Sequence, residues 1–362
     1  PVMASALAAR YPEIKAYAGQ GIDDPTATLR FDVSPRGFHG AVISSSGSYY
    51  IDPRAREGLK AEGSTTYLSY WKKDFDKTNT KVFEELPPLG RGDLNVPKWN
   101  DVARRKSSAV GVSIKEATRW QKTTSGAELR TYRLALAATG EYSTYHGGTV
   151  AGALAAMNTT MVRINGIYER EVAIRMELVG NTDSLIYTDA ATDPYTNDDG
   201  SAMLDENQSN VDAVIGADNY DIGHVFSTGG GGIAWLGSPC QNGLKAGGVT
   251  GSSAPTGDPF DIEYVAHEMG HQFGGNHTYN NSCDNNRSSG AAYEPGSGTT
   301  IMGYAGICPP NTSWSGEDYF HNKSYNQIQA FVETTTATWI NPNVSYDVNS
   351  TETDANLYDW VD

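Results

Sequence analysis

Three histidines and a glutamate fall within one eleven-residue run, HEMGHQFGGNH, as His267, Glu268, His271 and His277. On a helix, residues four apart share a face, so His267 and His271 present two imidazoles to one ion. Glu268 follows the first histidine and stands beside the metal, where a carboxylate takes a proton from a bound water. Gly274 permits the backbone to leave the helix sharply, which returns His277 as a third nitrogen ligand. Three protein ligands with the fourth position left to water describe a catalytic zinc rather than a structural one. The plain alternative is an amphipathic helix that happens to carry histidines. Three of the chain's seven histidines at HExxHxxGxxH spacing argue against it.

That spacing is the signature of the metzincin metallopeptidases, which this chain resembles. The family carries a methionine turn beneath the zinc, and TTIMGYAG supplies Met302 in that place. In astacin- and serralysin-like members a tyrosine two residues past that methionine stabilises the transition state, and Tyr304 matches it. A buried tyrosine with a satisfied hydroxyl is the alternative for Tyr304. Thermolysin-like enzymes instead pair HExxH with a distant glutamate, for which Glu294 is the candidate. It sits in AAYEPGSG, a loop composition, whereas that ligand comes from a helix, so His277 is preferred.

The stretch FSTGGGGIAWLGSPC is similar to the GxAxxGxxC segment of reprolysin-like enzymes. There it forms an edge strand bordering the cleft, which implies that role for Gly232, Ile233, Ala234 and Trp235. Reprolysins place Asp after the third histidine; here it is Thr278, with an aromatic next, as in pappalysins. The resemblance is closest to bacterial reprolysin-like secreted peptidases, and is specific over about 220–330. It implies an α/β (α+β) catalytic domain with a mixed twisted sheet, an active-site helix and a Met-turn.

The elements that must position these residues are legible. LRTYRLALAATGEY reads as a buried first strand, 149–170 as a long helix and VAIRMELVG as a second strand. ENQSNVDAVIG suggests another helix, YDIGHVFS a third strand, GGIAWLG a fourth, and 260–273 the ligand-bearing helix. Earlier in the chain, LRFDVSPRGFHGAVISS, SGSYYIDP and TYLSYWKKDF alternate like strands between turn signals. A Pro/Gly-rich piece, ELPPLGRGDLNVPKW, then reads as a linker. The expected division is a β-rich prodomain and linker over 1–117, a catalytic domain over 118–345 and a tail over 346–362.

At 362 residues the chain is long enough for two domains. A net charge of −16 argues against nucleic acid and against anionic membrane surfaces. No apolar run approaches the roughly twenty residues that span a bilayer. The expectation is a secreted protein whose signal peptide is already absent. Cys283 and Cys308 flank the loop around the site, so a disulfide between them braces its floor, with Cys240 left over.

Other signals are weaker. Asn197, Asp199, Gly200 and Glu206 match parts of a calcium loop, but Tyr195 stands at its first ligand position, so a solvated helix-capping turn is preferred. The 229–232 glycine run lacks the Lys of a phosphate loop and reads as a flexible cleft rim. His224 reads as a core histidine; His321 reads either as lining a specificity pocket or as a surface residue. No nucleophile elbow or papain-like cysteine motif is present.

The expected activity is hydrolysis of protein substrates bound extended along the cleft edge. Zinc on His267, His271 and His277 acidifies a water, with Glu268 as general base and Tyr304 on the oxyanion. A catalytically silent binding or adhesion module on the same fold is the alternative. Latency is expected through the prodomain as intramolecular inhibitor. Reprolysin-like and matrixin prodomains use a cysteine, and none precedes residue 240 here. Astacin-like prodomains use an aspartate in an FxGD context, for which LGRGDL offers Asp93. Glu84 and Glu85 lie close by, and steric occupation needs no metal contact at all.

Overall fold

The computed structural model describes residues 1–54, 66–74, 85 and 129–335, which form two five-stranded sheets. The first comprises β1 (Lys15–Gln20), β2 (Thr28–Ser34), β3 (Gly37–Ser44), β4 (Gly47–Pro53) and β5 (Tyr67–Trp71), each antiparallel to the next. Gly37 and Gly47 turn the chain between strands at φ of 110° and 114°, a region that side chains disfavour. β2 to β5 lie where alternation placed strands. β1, KAYAGQ, lacks branched residues and gave no such signal.

The second sheet has the order β7-β6-β8-β10-β9, built from β6 (Arg130–Ala138), β7 (Ile174–Leu178), β8 (Ile222–Ser227), β9 (Gly232–Ala234) and β10 (Gly248–Gly251). β7, β6, β8 and β10 pair in parallel, while β9 runs antiparallel to β10 and forms an edge. Parallel neighbours need crossovers, and the helices Val150–Val172 and Gly200–Val214 supply them. Thr149 and Asp199 cap these helices by accepting from Gly152 N and Ala202 N. β6 is covered on both faces, which explains its unbroken LALAA run. Leu134 and Leu136 pack with Met157, Ile164, Val265 and Met269 on one face, and Ala135 and Ala137 with Met203 and Val211 on the other. No helix among the described residues is long and apolar enough to cross a membrane.

The ligand-bearing helix starts earlier than sequence periodicity indicates. Its first turn is Asp258–Phe260, it widens into π geometry over Asp261–Ala266, and it regains α geometry at His267–Gln272. Below it, 273–321 holds no long helix or strand. His224 in β8 fixes the end of this helix: its Nδ1 lies 2.9 Å from Gln272 Oε1, and Gln272 Nε2 donates to Gly223 O at 2.9 Å.

The first sheet packs on the second unit through buried charge. Lys72 lies between Asp258, at 3.0 Å, and Asp318, and Tyr50 donates to Asp318 at 2.7 Å. Arg163 pairs with Asp261 at 2.9 Å and with Asp52, while Arg30 pairs with Glu169 at 2.9 Å. The first ten residues join the second sheet as well: Met3 bridges Leu178 at the β7 edge, and Leu7 is buried in the core.

His224 and His146 are both buried, and burial lowers them to about 4 and about 3. Each stays neutral when folded but binds a proton below about pH 6.5 once unfolded. The unfolded state thus binds more protons, so stability is full above about pH 6.5 and falls as pH drops toward 4, by up to about 1.4 kcal/mol per pH unit per histidine. Urea unfolding at pH 7, 6 and 5 measures this, and His224→Gln should make the dependence shallower. An unchanged slope in that variant would mean that His224 is not the group that titrates.

Candidate metal centre

His267 and His271 stand one turn apart on the helix, with ring centroids 4.8 Å from each other. Gly274, at φ 91°, ends the helix and sends the chain back. His277 thereby returns to 4.6 Å from the His271 ring and 5.3 Å from that of His267. Each Nδ1 meets a backbone carbonyl: His267 that of Ile301 at 2.6 Å, His271 that of Gly275 at 2.6 Å and His277 that of Asn286 at 2.7 Å. A carbonyl only accepts, so each Nδ1 carries a proton, and in the neutral imidazole each Nε2 is left with its lone pair.

The three Nε2 atoms converge, those of His271 and His277 at 3.0 Å. A carboxylate that sequence reasoning mentioned only in passing completes the group. Glu85 Oε1 lies 3.1 Å from His271 Nε2 and 2.8 Å from His277 Nε2, and its Oε2 lies 3.1 Å from His267 Nε2. Four electron-pair donors with no proton among them sit within 4.8 Å of one another in a buried space. A cation answers that arrangement, and three imidazoles with a carboxylate form a donor set that zinc accepts. Burial lowers His271 to about 4, which favours its neutral form.

Glu268 is fully buried, and neither carboxylate oxygen has a hydrogen-bond partner among the described residues. Burial and then Glu85 raise its pKa well above the ordinary value. β9 passes directly over it, so a Cβ at Gly232 would lie 2.1 Å from Glu268 Oε1 and 2.4 Å from the Tyr264 ring. The glycine run expected to form a flexible rim is instead closely packed. A Cβ at Gly229 would meet Asp198 at 2.1 Å, and Gly230 has φ 77°. Ile233 and Ala234 lie with Gly232 in β9; Trp235 follows, donating its N–H to Gly247 O at 2.9 Å. Gly237 N and Ser238 N then bond His271 O and Gln272 O, tying this edge to the ligand helix.

Met302 is buried beneath that helix. A Cβ at Gly270 would lie 2.4 Å from its sulfur, and its carbonyl accepts from Thr278 N at 3.0 Å. The Tyr304 ring stands 4.8 Å from His277 and 5.7 Å from His267, and its hydroxyl accepts from Asn286 Nδ2 at 3.2 Å. Burial and then Glu85 raise the pKa of that hydroxyl far above its ordinary value. Glu294 lies outside the cluster and accepts from Thr299 N at 2.8 Å, Thr300 N at 3.0 Å, Thr300 Oγ1 at 2.6 Å and Thr278 Oγ1. It links the segment after the third histidine to the one before Met302.

Cys283 and Cys308 form a disulfide with Cα atoms 5.6 Å apart, and Cys240 is free. His321 caps the helix Asn322–Val332 by accepting from Lys323 N at 3.0 Å. In the calcium-like segment, Glu206 accepts from Thr196 N and Oγ1, and Asn197 Oδ1 from Thr228 N. Asp93 lies outside the described residues. Sequence reasoning gave no hint of Asn286, whose backbone holds His277 and whose side chain reaches Tyr304 and the Glu85 carbonyl. Loop residues of this kind carry no periodic signal.

Residues 128–350 match the family described as metallo-peptidase family M12B, reprolysin-like. Among curated proteins no sequence match is found. Among solved structures, metalloproteinase-II from Bacteroides fragilis is similar over 87% of this chain and 82% of its own, at 10% identity and a TM-score of 0.40.

The geometry separates His277 from Glu294 experimentally. His277→Ala should lose zinc on dialysis against a weak chelator, as read by metal analysis. Glu294→Ala should keep its zinc yet lose about 1–3 kcal/mol of stability, because it removes the acceptor of three threonine hydroxyls and two amides. Full zinc retention in His277→Ala, with loss in Glu294→Ala, would reverse the two assignments.

Proposed function

Because the chain belongs to the reprolysin-like M12B metallopeptidases, we propose that it is a secreted zinc endopeptidase made as a latent zymogen. One observation carries the reading: three Nε2 lone pairs converge beside a buried, uncommitted Glu268 under the edge strand β9. His267, His271 and His277 would hold the zinc, which supplies an acidified water and polarises the substrate carbonyl. Glu268 takes the proton of the attacking water on its carboxylate and returns it to the leaving amine. The Tyr304 hydroxyl, beside the ligand histidines, donates to the developing oxyanion. The edge of β9 aligns an extended polypeptide by main-chain pairing, which suits cleavage within a chain. The Cys283–Cys308 disulfide is in keeping with an oxidising, extracellular setting.

Residues 1–117 act as the prodomain in this reading, with 118–345 as the catalytic domain. Support comes from Glu85, which places its side chain among the ligand histidines and pairs its backbone with Gly232. That occupies the edge a substrate would use.

Two measurements test the proposal. Chain nicked by limited proteolysis near residues 110–127 should cleave casein faster than intact chain; equal rates would remove the zymogen reading. In nicked protein, Glu268→Gln should keep zinc and fold while kcat falls by about 10²–10⁴. Undiminished turnover in a zinc-loaded Glu268→Gln protein would exclude this general base.

A further inference from the structure

We propose that Glu85 is the fourth protein ligand of the zinc in the intact chain, so that latency is set by metal coordination and not only by coverage of the cleft. The inference rests on the zinc peptidase reading above. Its carboxylate reaches all three ligand histidines, with one oxygen toward His271 and His277 and the other toward His267. That split places the carboxylate across the convergence point of the three lone pairs, not against one imidazole. The Glu85 side chain is 1% exposed, so the position is sealed from bulk water.

The backbone of Glu85 is held independently of its side chain. It bridges Gly232 of β9 in parallel register, and its carbonyl accepts from Asn286 Nδ2 at 3.1 Å. Gly232 belongs to the strand that covers Glu268, and Asn286 is the residue whose own carbonyl holds His277. The two contacts thus come from the upper edge and the lower loop of the site. They fix the carboxylate against the same residues that position the base and the third ligand.

A zinc with four protein ligands is closed, as structural sites are, and has no position for the reactive water. The carboxylate does this with no thiol, in keeping with the absence of cysteine before residue 240. Opening the site then means removing an oxygen ligand, a step that thiol oxidants and alkylating agents do not trigger.

Cobalt-substituted full-length chain tests the ligand directly, because the visible d–d bands of cobalt report coordination. Acetohydroxamate, which chelates only where ligand positions are open, is titrated into wild type, Glu85→Gln and Glu85→Asp, all uncut. Wild type should show four-coordinate bands that resist the titration. Glu85→Gln should show altered bands and bind acetohydroxamate at least about tenfold tighter, since apparent affinity scales with the fraction of open sites. Glu85→Asp, one methylene short, should fall between. Circular dichroism and melting curves monitor folding, and the Asp variant carries the test if Gln fails to fold. Identical bands and affinities in all three, with cobalt bound and casein cleaved after nicking, would overturn the Glu85 assignment alone. Failure of the wild-type chain to bind cobalt would overturn the peptidase reading and this inference together.

Discussion

Three Nδ1–H groups donated to three backbone carbonyls are the constraint on which the metal centre depends. Without them each imidazole is free to rotate and to exchange its proton between nitrogens, and the lone pairs need not converge. The three carbonyls come from separate places. Gly275 lies in the turn that ends the helix, Asn286 in the disulfide-bonded loop, and Ile301 directly before Met302. Each place is secured in turn. Gly270 and Gly275 allow the helix end to settle on Met302, Asn286 N bonds Cys283 O, and Ile301 N bonds Tyr319 O. Glu294 ties Thr278 to Thr299 and Thr300, closing the frame from below. The irregular lower half is therefore tied at each point from which it delivers a carbonyl.

The contact between the first sheet and the helices and loop that face it follows a different rule. It is rich in buried charge, with Lys72 between two aspartates and Arg163 between two more. Buried ion pairs add little net stability, but removing one partner costs about 3–5 kcal/mol by stranding the other. Such a contact is exacting in geometry while assembled. Once parted, its charges recover their hydration, whereas an apolar face would remain sticky. On the proposed zymogen reading, those properties would suit a covering segment that seats accurately and later leaves.

How much of this was legible in the chain varies with the range of the interaction. The ligand motif is local: four-residue spacing and one glycine fix three imidazoles, so His267, His271 and His277 stood out at once. The long amphipathic helix and the LALAA strand were readable for the same reason. β10, with the sequence GVTG, was missed because four residues with two glycines carry neither alternation nor propensity. Gly232 looked like part of a flexible run because its reason, the closeness of Glu268, lies across the fold. Asp32 and Asp52 sit in strands where charge ordinarily marks the solvent face, and their buried partners are more than a hundred residues away. The loose FxGD-like match pointed to Asp93, with Glu84 and Glu85 noted only as close by, because the bridge from Glu85 to Gly232 spans the fold and leaves no local mark.

That register gives the edge of β9 two competing occupants. On the proposed zymogen reading, a substrate and the segment carrying Glu85 would compete for its main-chain groups and would both aim an oxygen at the same convergence of lone pairs. A free carboxylate is a modest zinc ligand and would lose to abundant substrate if it had to bind from solution. Attached to the chain, it is present at an effective concentration set by the linker, so a weak ligand suffices to hold the site closed. The ion pairs of Lys72 with Asp258 and of Arg163 with Asp52 would strengthen that tether by fixing the first sheet. On that reading, cutting the linker would convert an intramolecular ligand into a dissociable one. The weakness of the carboxylate is then an advantage, because the fragment that held the site so firmly while connected has little affinity of its own with which to stay.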